Sequence, residues 1–276
     1  MTIVRKLRRT VVASSQAPRC LGFAVESRPA TFVSRWYPPS VPNANKLLTA
    51  LLGFLLLCAP AYAQNGAVTW SPVLKLGSRK AIPGRLAQPF GDVFTGSVKG
   101  ATASISNCND YLRLSPEGFQ PDNDQEARIL HNDAVDCTAL KLLEGVRKPA
   151  KPAVQFQLND SALALLPPEL APAVSNDLIA KAKAADEAGE SWQSYLPDTV
   201  AKSAGPGQLD VSQSGWKTHL TLYATGDFSR SGEEEFLIRA DYQAVSGTYA
   251  NSSLFLVKAG SNGAKRLRLV REVTVR

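Results

Sequence analysis

Histidine is almost missing from this chain: only His131 and His219 occur among 276 residues. No His-Glu-x-x-His pair, P-loop, Gly-x-Gly-x-x-Gly turn or Gly-x-Ser-x-Gly elbow is present. The zinc-peptidase, nucleotide-binding and α/β-hydrolase readings therefore have no motif to stand on. Asp133 and Asp136 lie near His131, but helical spacing sets His131 and Asp136 on different sides, and both histidines read as ordinary surface or strand residues. Ser214-Gly215-Trp216-Lys217 matches the Ser-x-x-Lys pattern of penicillin-interacting enzymes. It stands at the entrance to a strand, where positions i and i+3 face opposite ways, and Lys217-Thr218-His219 is not the Lys-Thr-Gly strand that chemistry needs. Glu233-Glu234-Glu235 reads as a solvated turn rather than paired catalytic carboxylates. There is no long internal repeat, and no long apolar run either. The apolar segment Leu47–Cys58 is 12 residues, short of the ~20 that span a bilayer core of ~30 Å.

What surrounds that segment gives it meaning. Lys46 precedes it, Pro60 follows it, and Ala61-Tyr62-Ala63 supplies small residues at the −3 and −1 positions of a cut. Positive, apolar, then small is the order of a secretory signal peptide. Residues 46–63 are expected to be that signal, cleaved after Ala63, with a periplasmic or secreted destination and membrane contact only in transit. Leu57 stands before Cys58, where a lipobox wants a small residue, so the cut at Ala63 is preferred to acylation. Residues 1–45 form a basic leader, with Arg5, Lys6, Arg8, Arg9, Arg19, Arg28 and Arg35 against Glu26 alone. Signal peptides start within about 30 residues of their cleavage site, so initiation is expected near Val41. A genuine extension, or an organellar transit peptide, is the alternative.

This segment also accounts for the charge. The chain carries 31 Lys and Arg against 24 Asp and Glu. Residues 1–63 hold eight of the former and one of the latter, which leaves 23 of each sign downstream. The formal +7 therefore belongs to the part expected to be removed, and nucleic acid is not an expected partner. Of four cysteines, Cys20 and Cys58 fall in the same part; Cys108 and Cys137 remain. An even pair in an exported chain is expected to form one disulfide.

Downstream, residues 64–97 are Gly- and Pro-spaced and read as short extended pieces joined by turns. Residues 98–200 read as mainly helical. Ala127, Leu130, Ala134, Cys137 and Leu140 recur at helical spacing between a cap at Asn123-Asp124 and a stop at Gly145. A short strand or turn is expected at 154–158, a brief helix before Pro167-Pro168, and a second helix from Asn176 to Ala188. From about 205 to 276 the period becomes 2. Candidate strands are His219–Ala224, Glu235–Tyr242, Ser253–Lys258 and Arg266–Val273. The expected fold is α+β: a helical region with one disulfide packed on a C-terminal antiparallel sheet of about four strands, with 98–276 as one compact domain.

Gly226-Asp227-Phe228-Ser229-Arg230-Ser231-Gly232-Glu233-Glu234-Glu235, followed by Phe236-Leu237-Ile238, resembles the calcium loop of FG-GAP and VCBS-type repeats. The resemblance places Asp227, Ser229, Ser231 and Glu235 at the first, third, fifth and ninth positions as metal ligands. Serines stand where the family has Asn and Asp, and calcium wants six to eight oxygens, several of them carboxylate. The other reading is a tight β-turn without metal, and no other cofactor is expected. More broadly, Cys108-x-x-Tyr111, Cys137 on a helix, Ser191-Trp192-Gln193-x-Tyr195 and the Gly226-Asp227-Phe228…Phe236-Leu237 pair resemble exported proteobacterial proteins. That implies an envelope address and no particular activity. The function expected first is a non-enzymatic module that binds an unidentified envelope protein or ligand. An exported hydrolase with an unrecognised site, or a calcium-stabilised β module, are the alternatives.

Overall fold

The computed structural model of the chain describes residues 68–151, 156–260 and 266–275. The expected leader and signal segment lie outside these residues, as do Val154 and Gln155 of the strand or turn expected at 154–158. Phe156–Leu158 are not strand.

In chain order the elements are β1 (Thr69–Trp70), α1 (Ile82–Leu86), β2 (Pro89–Val98), β3 (Ala101–Asn107), α2 (Cys108–Leu114), β4 (Gln120–Pro121), α3 (Asp124–Gly145), α4 (Asn176–Glu187) and α5 (Trp192–Tyr195). Six strands follow: β5 (Val200–Gly205), β6 (Gln208–Gln213), β7 (Trp216–Gly226), β8 (Glu235–Ala244), β9 (Ala250–Ala259) and β10 (Leu267–Val273). Strands β5 to β10 pair antiparallel in sequence order, as a meander. Strand β1 adds a seventh member, pairing Thr69 with Thr225 and Trp70 with Ala224, beyond the point where β6 leaves the edge of β7. A separate three-stranded sheet has the order β3-β2-β4.

The expectation of about four C-terminal strands is therefore corrected. Among the described residues the fold is mixed α+β, but the main sheet has seven strands, and a second sheet runs from the stretch expected to hold short extended pieces into the one expected to be mainly helical. The reason is that strand identity comes from cross-strand pairing as much as from side chains. In β5 and β6 only Val200, Leu209 and Val211 are large and apolar. The β2–β3 hairpin is built largely of Ala, Thr, Ser and Gly, so its alternation is faint. It turns at Lys99-Gly100, both with positive φ.

The main sheet is buried on both faces. Tyr223, Leu237, Leu254 and Leu256 pack with α3 and with the β2–β3–α2 lobe. Leu209, Leu220, Ile238, Ala240, Phe255 and Val257 pack under the segment 156–171 and Trp192. A strand covered on both sides carries a continuous apolar run, here Phe236-Leu237-Ile238 in β8 and Leu254-Phe255-Leu256-Val257 in β9. Helix α3 begins as expected: Asn123 Oδ1 accepts from Glu126 N at 2.9 Å, and its amide donates to Glu126 Oε1. Leu130, Ala134, Cys137 and Leu140 are buried as the period predicts. Val135, Ala139 and Leu143 are buried too, because the helix has the sheet on one side and the N-terminal lobe on another. Cys108, the first residue of α2, is bonded to Cys137, with Cα atoms 5.1 Å apart, as the cysteine count predicts. Among the described residues no helix is long and apolar enough to cross a membrane.

Candidate functional site

The calcium-like loop is held together by its own hydrogen bonds. A Cβ at Gly226 would fall 2.4 Å from Val146 Cγ2, so glycine is what lets β7 run beside Val146 and Arg147. Asp227 then exchanges backbone hydrogen bonds with Arg147 at 2.9 and 3.0 Å. Its carboxylate accepts from Ser231 N (2.9 Å) and Gly232 N (3.0 Å). Glu235 is fully buried. It accepts from Phe228 N (2.9 Å), Ser229 N (2.8 Å) and Ser229 Oγ (2.5 Å). Arg230 (φ 61°) and Gly232 (φ 79°) take the left-handed turns that bring these donors round. All four predicted ligands thus share one loop, but five donors point at the two carboxylates. A cation there would have to displace them. Among the described residues no cluster of three or more His, Cys, Asp or Glu is arranged to hold a metal.

The histidines meet a polar network on the α3 side of the sheet. The registers align Lys202, Asp210, His219, Asp241 and Ser252 in one cross-strand row from β5 to β9, and cross-strand partners share a face. They line an open groove of about 750 Å³. His219 Nδ1 lies 2.7 Å from Asp210 Oδ1. Arg239 Nε reaches both Asp241 oxygens at 2.8 and 3.0 Å, and Nη1 reaches Asp136 Oδ1 at 2.6 Å. Tyr223 donates to the same Asp136 oxygen at 2.5 Å. Burial works against the Arg239 charge, but Tyr223, Asp241 and Asp136 outweigh it and hold the guanidinium charged. Tyr223 is pushed up by burial and then by Asp136. His131 Nε2 sits 2.9 Å from Ser252 O. His131 and Asp136, expected on different sides of α3, therefore both contact this network. The group paired with His219 is a carboxylate, and its direct cross-strand neighbours are Asp210 and Asp241, with no nucleophile between them. The arrangement joins α3 to the sheet; it does not assemble a triad.

The opposite side of the sheet carries a different kind of cavity, of about 420 Å³, between β8–β10 and the segment leading into α4. Pro167-Pro168 forces a 3₁₀ turn at Pro168–Leu170. Tyr242 OH fixes it by donating to Leu170 O at 3.0 Å. Glu169 of this turn lines the cavity with Trp216, Tyr249, Phe255, Val174 and Ile179. Trp216 and Tyr249 meet edge to face, centroids 5.5 Å apart. Val174, Ile179 and Tyr249 are half exposed, at 52, 54 and 46 %, so the apolar wall continues to the surface. Glu169 Oε2 is buried without a hydrogen-bond partner. Burial pushes the Glu169 carboxyl from its ordinary 4.5 up to about 7; Asp186 and Glu187 add to this, while the hydrogen bond to its own backbone and Arg266 oppose it.

That shift has a stability consequence. The folded state holds the Glu169 proton more tightly than the unfolded chain, so this group's contribution is full below pH 4.5 and is lost as pH rises to about 7. Discounted for partial solvent contact, the loss is about 1–2 kcal/mol. In urea titrations Glu169→Gln should remove this part of the pH dependence and leave the protein more stable than wild type at pH 8. Equal slopes in the two proteins would show that the carboxyl is solvated.

None of the sequence-predicted site residues lines this cavity. Glu169 did leave a signal: it is the only charged residue between Asp160 and Asp177, set in a run of Ala, Leu and Pro. No family model, curated protein or solved structure matches the chain.

Proposed function

We propose that the chain is an exported, non-enzymatic binding module that holds a small, largely apolar molecule in the cavity beside Glu169. The observation that carries this reading is the cavity itself. It is concave, walled by Trp216, Tyr249, Phe255, Val174 and Ile179 with Glu169, Lys183 and Glu272 among them, and its volume lies within the ~300–1,000 Å³ usual for small-molecule sites. The order Lys46, apolar run, Ala61-Tyr62-Ala63 supports export, and a disulfide suits an oxidising compartment. On this reading the mature chain begins at Gln64, and N-terminal sequencing of protein recovered outside the cytoplasm tests it.

The binding test uses a neutral solvatochromic dye such as Nile red. Saturable binding at micromolar concentration is expected. It should weaken at least about tenfold in Val174→Asp/Ile179→Asp, since each lost large apolar contact is worth ~1.5 kcal/mol or more and tenfold is ~1.4 kcal/mol. Both positions are half exposed, so the fold tolerates the change. Unsaturable binding, or affinity indifferent to the double substitution, would remove the reading.

A further inference from the structure

We infer that the ligand of this cavity is an amphiphilic amine, an apolar body carrying one ammonium group that pairs with Glu169. The inference rests on the binding reading above and adds the chemical class. A buried carboxylate oxygen without a partner is costly, and native structures seldom keep one without a role. Here the orphan is Glu169 Oε2, and it belongs to a residue lining the cavity. An ammonium head supplies what it lacks: a donor and a compensating charge in one group. The surroundings favour the same sign. Glu169 and Glu272 line the cavity against one lysine, Lys183, and Asp186 and Glu187 add negative potential at Glu169, with Arg266 opposing. Arg266 is itself engaged by Asp186 and by Glu190 O. Trp216, Tyr249 and Phe255 line the cavity, and aromatic rings attract cations as well as alkyl chains. An anionic ligand would meet two carboxyl groups and lose on both counts. A neutral hydroxyl could donate to the orphan but would bring no charge to compensate it.

Calorimetric titration with octylamine, octanol and octanoate at low ionic strength separates these cases. All three carry the same apolar chain, so differences report the head group. At pH 8, where Glu169 is ionised, octylamine should bind about tenfold tighter than octanol, and octanoate more weakly than octanol. Between pH 8 and pH 5.5 the octylamine advantage should fall towards unity as Glu169 takes up its proton, while octanol binding stays level. Glu169→Gln should erase both the preference and the pH step and keep octanol binding. If that variant fails to fold, the pH step in the wild type decides. Octylamine and octanol binding equally at pH 8, or octanoate binding tightest, would overturn the amine assignment while leaving the pocket intact. Failure of all three would overturn the pocket reading, and the amine with it.

Discussion

Replacing both Cys108 and Cys137 by alanine is expected to cost ~3–4 kcal/mol, read as a lower urea midpoint and a melting temperature down by roughly 10 °C. The bond closes a loop of 29 positions, and loop-closure entropy alone gives that magnitude. Location argues for the upper half of the range. Cys137 is fully buried in α3 and Cys108 nearly so at the start of α2. The bond ties the β2–β3–α2 lobe to a helix that also packs on the main sheet. Without it the lobe depends on contacts such as Phe94, Ile105 and Leu114 against α3. Dithiothreitol should lower wild-type stability to that of the variant and leave the variant unchanged. A loss below 1 kcal/mol, or a reductant effect on the variant, would show that the lobe is held by packing alone. A domain of marginal stability that draws several kcal/mol from one bond loses that margin wherever thiols are kept reduced.

How much of this molecule could be read from its sequence differs by element. Helix α3 was legible because capping and period agreed: Asn123 begins it, Gly145 ends it, and Leu130, Ala134, Cys137 and Leu140 are buried where the spacing put them. The disulfide followed from counting. Strands β7 to β10 were legible from a period of 2 between Gly, Ser and Asn; in β10 the exposed Arg268, Arg271 and Glu272 keep that alternation, whereas in β8 and β9 both faces are covered. Strands β5 and β6 were not, since they lie towards the sheet edge and carry Lys202, Asp210 and Ser212 on the open groove. The β2–β3 hairpin was missed for a similar reason: small side chains form a ladder when a partner strand is present, and no local period reveals the partner. The cavity was the least legible feature. Its walls come from Glu169, Trp216, Tyr249 and Leu269, far apart in the chain, and only folding brings them together. The calcium-like loop was legible as a pattern, yet the pattern records positions and not the direction in which each carboxylate points.

That direction yields the second large expected effect. Glu235→Ala should destabilise the protein by ~3 kcal/mol, and Glu235→Gln by roughly half as much. The carboxylate is fully buried and receives three donors, two of them backbone N–H groups. Each orphaned donor costs ~1–3 kcal/mol. Ser229 is exposed, so water can reach part of what is left, and the total stays well below the sum of the three. Glutamine keeps the shape and one accepting oxygen but brings an amide that meets N–H groups head on. The same experiment decides what holds the loop. If Asp227 and Glu235 serve as internal acceptors, thermal melts in millimolar calcium and in chelator should superimpose, and Glu235→Ala should show its full loss in both. If calcium holds the loop, added calcium should raise the wild-type midpoint, chelator should lower it, and Glu235→Ala should abolish that dependence. The geometry favours the first outcome. Five donors already surround the two carboxylates, and a cation would have to turn two peptide segments, 228–229 and 231–232, away from the oxygens it sought. In this loop the backbone amides supply the positive charge that a metal supplies elsewhere, and they do so without the Asn and Asp side chains that Ser229 and Ser231 replace.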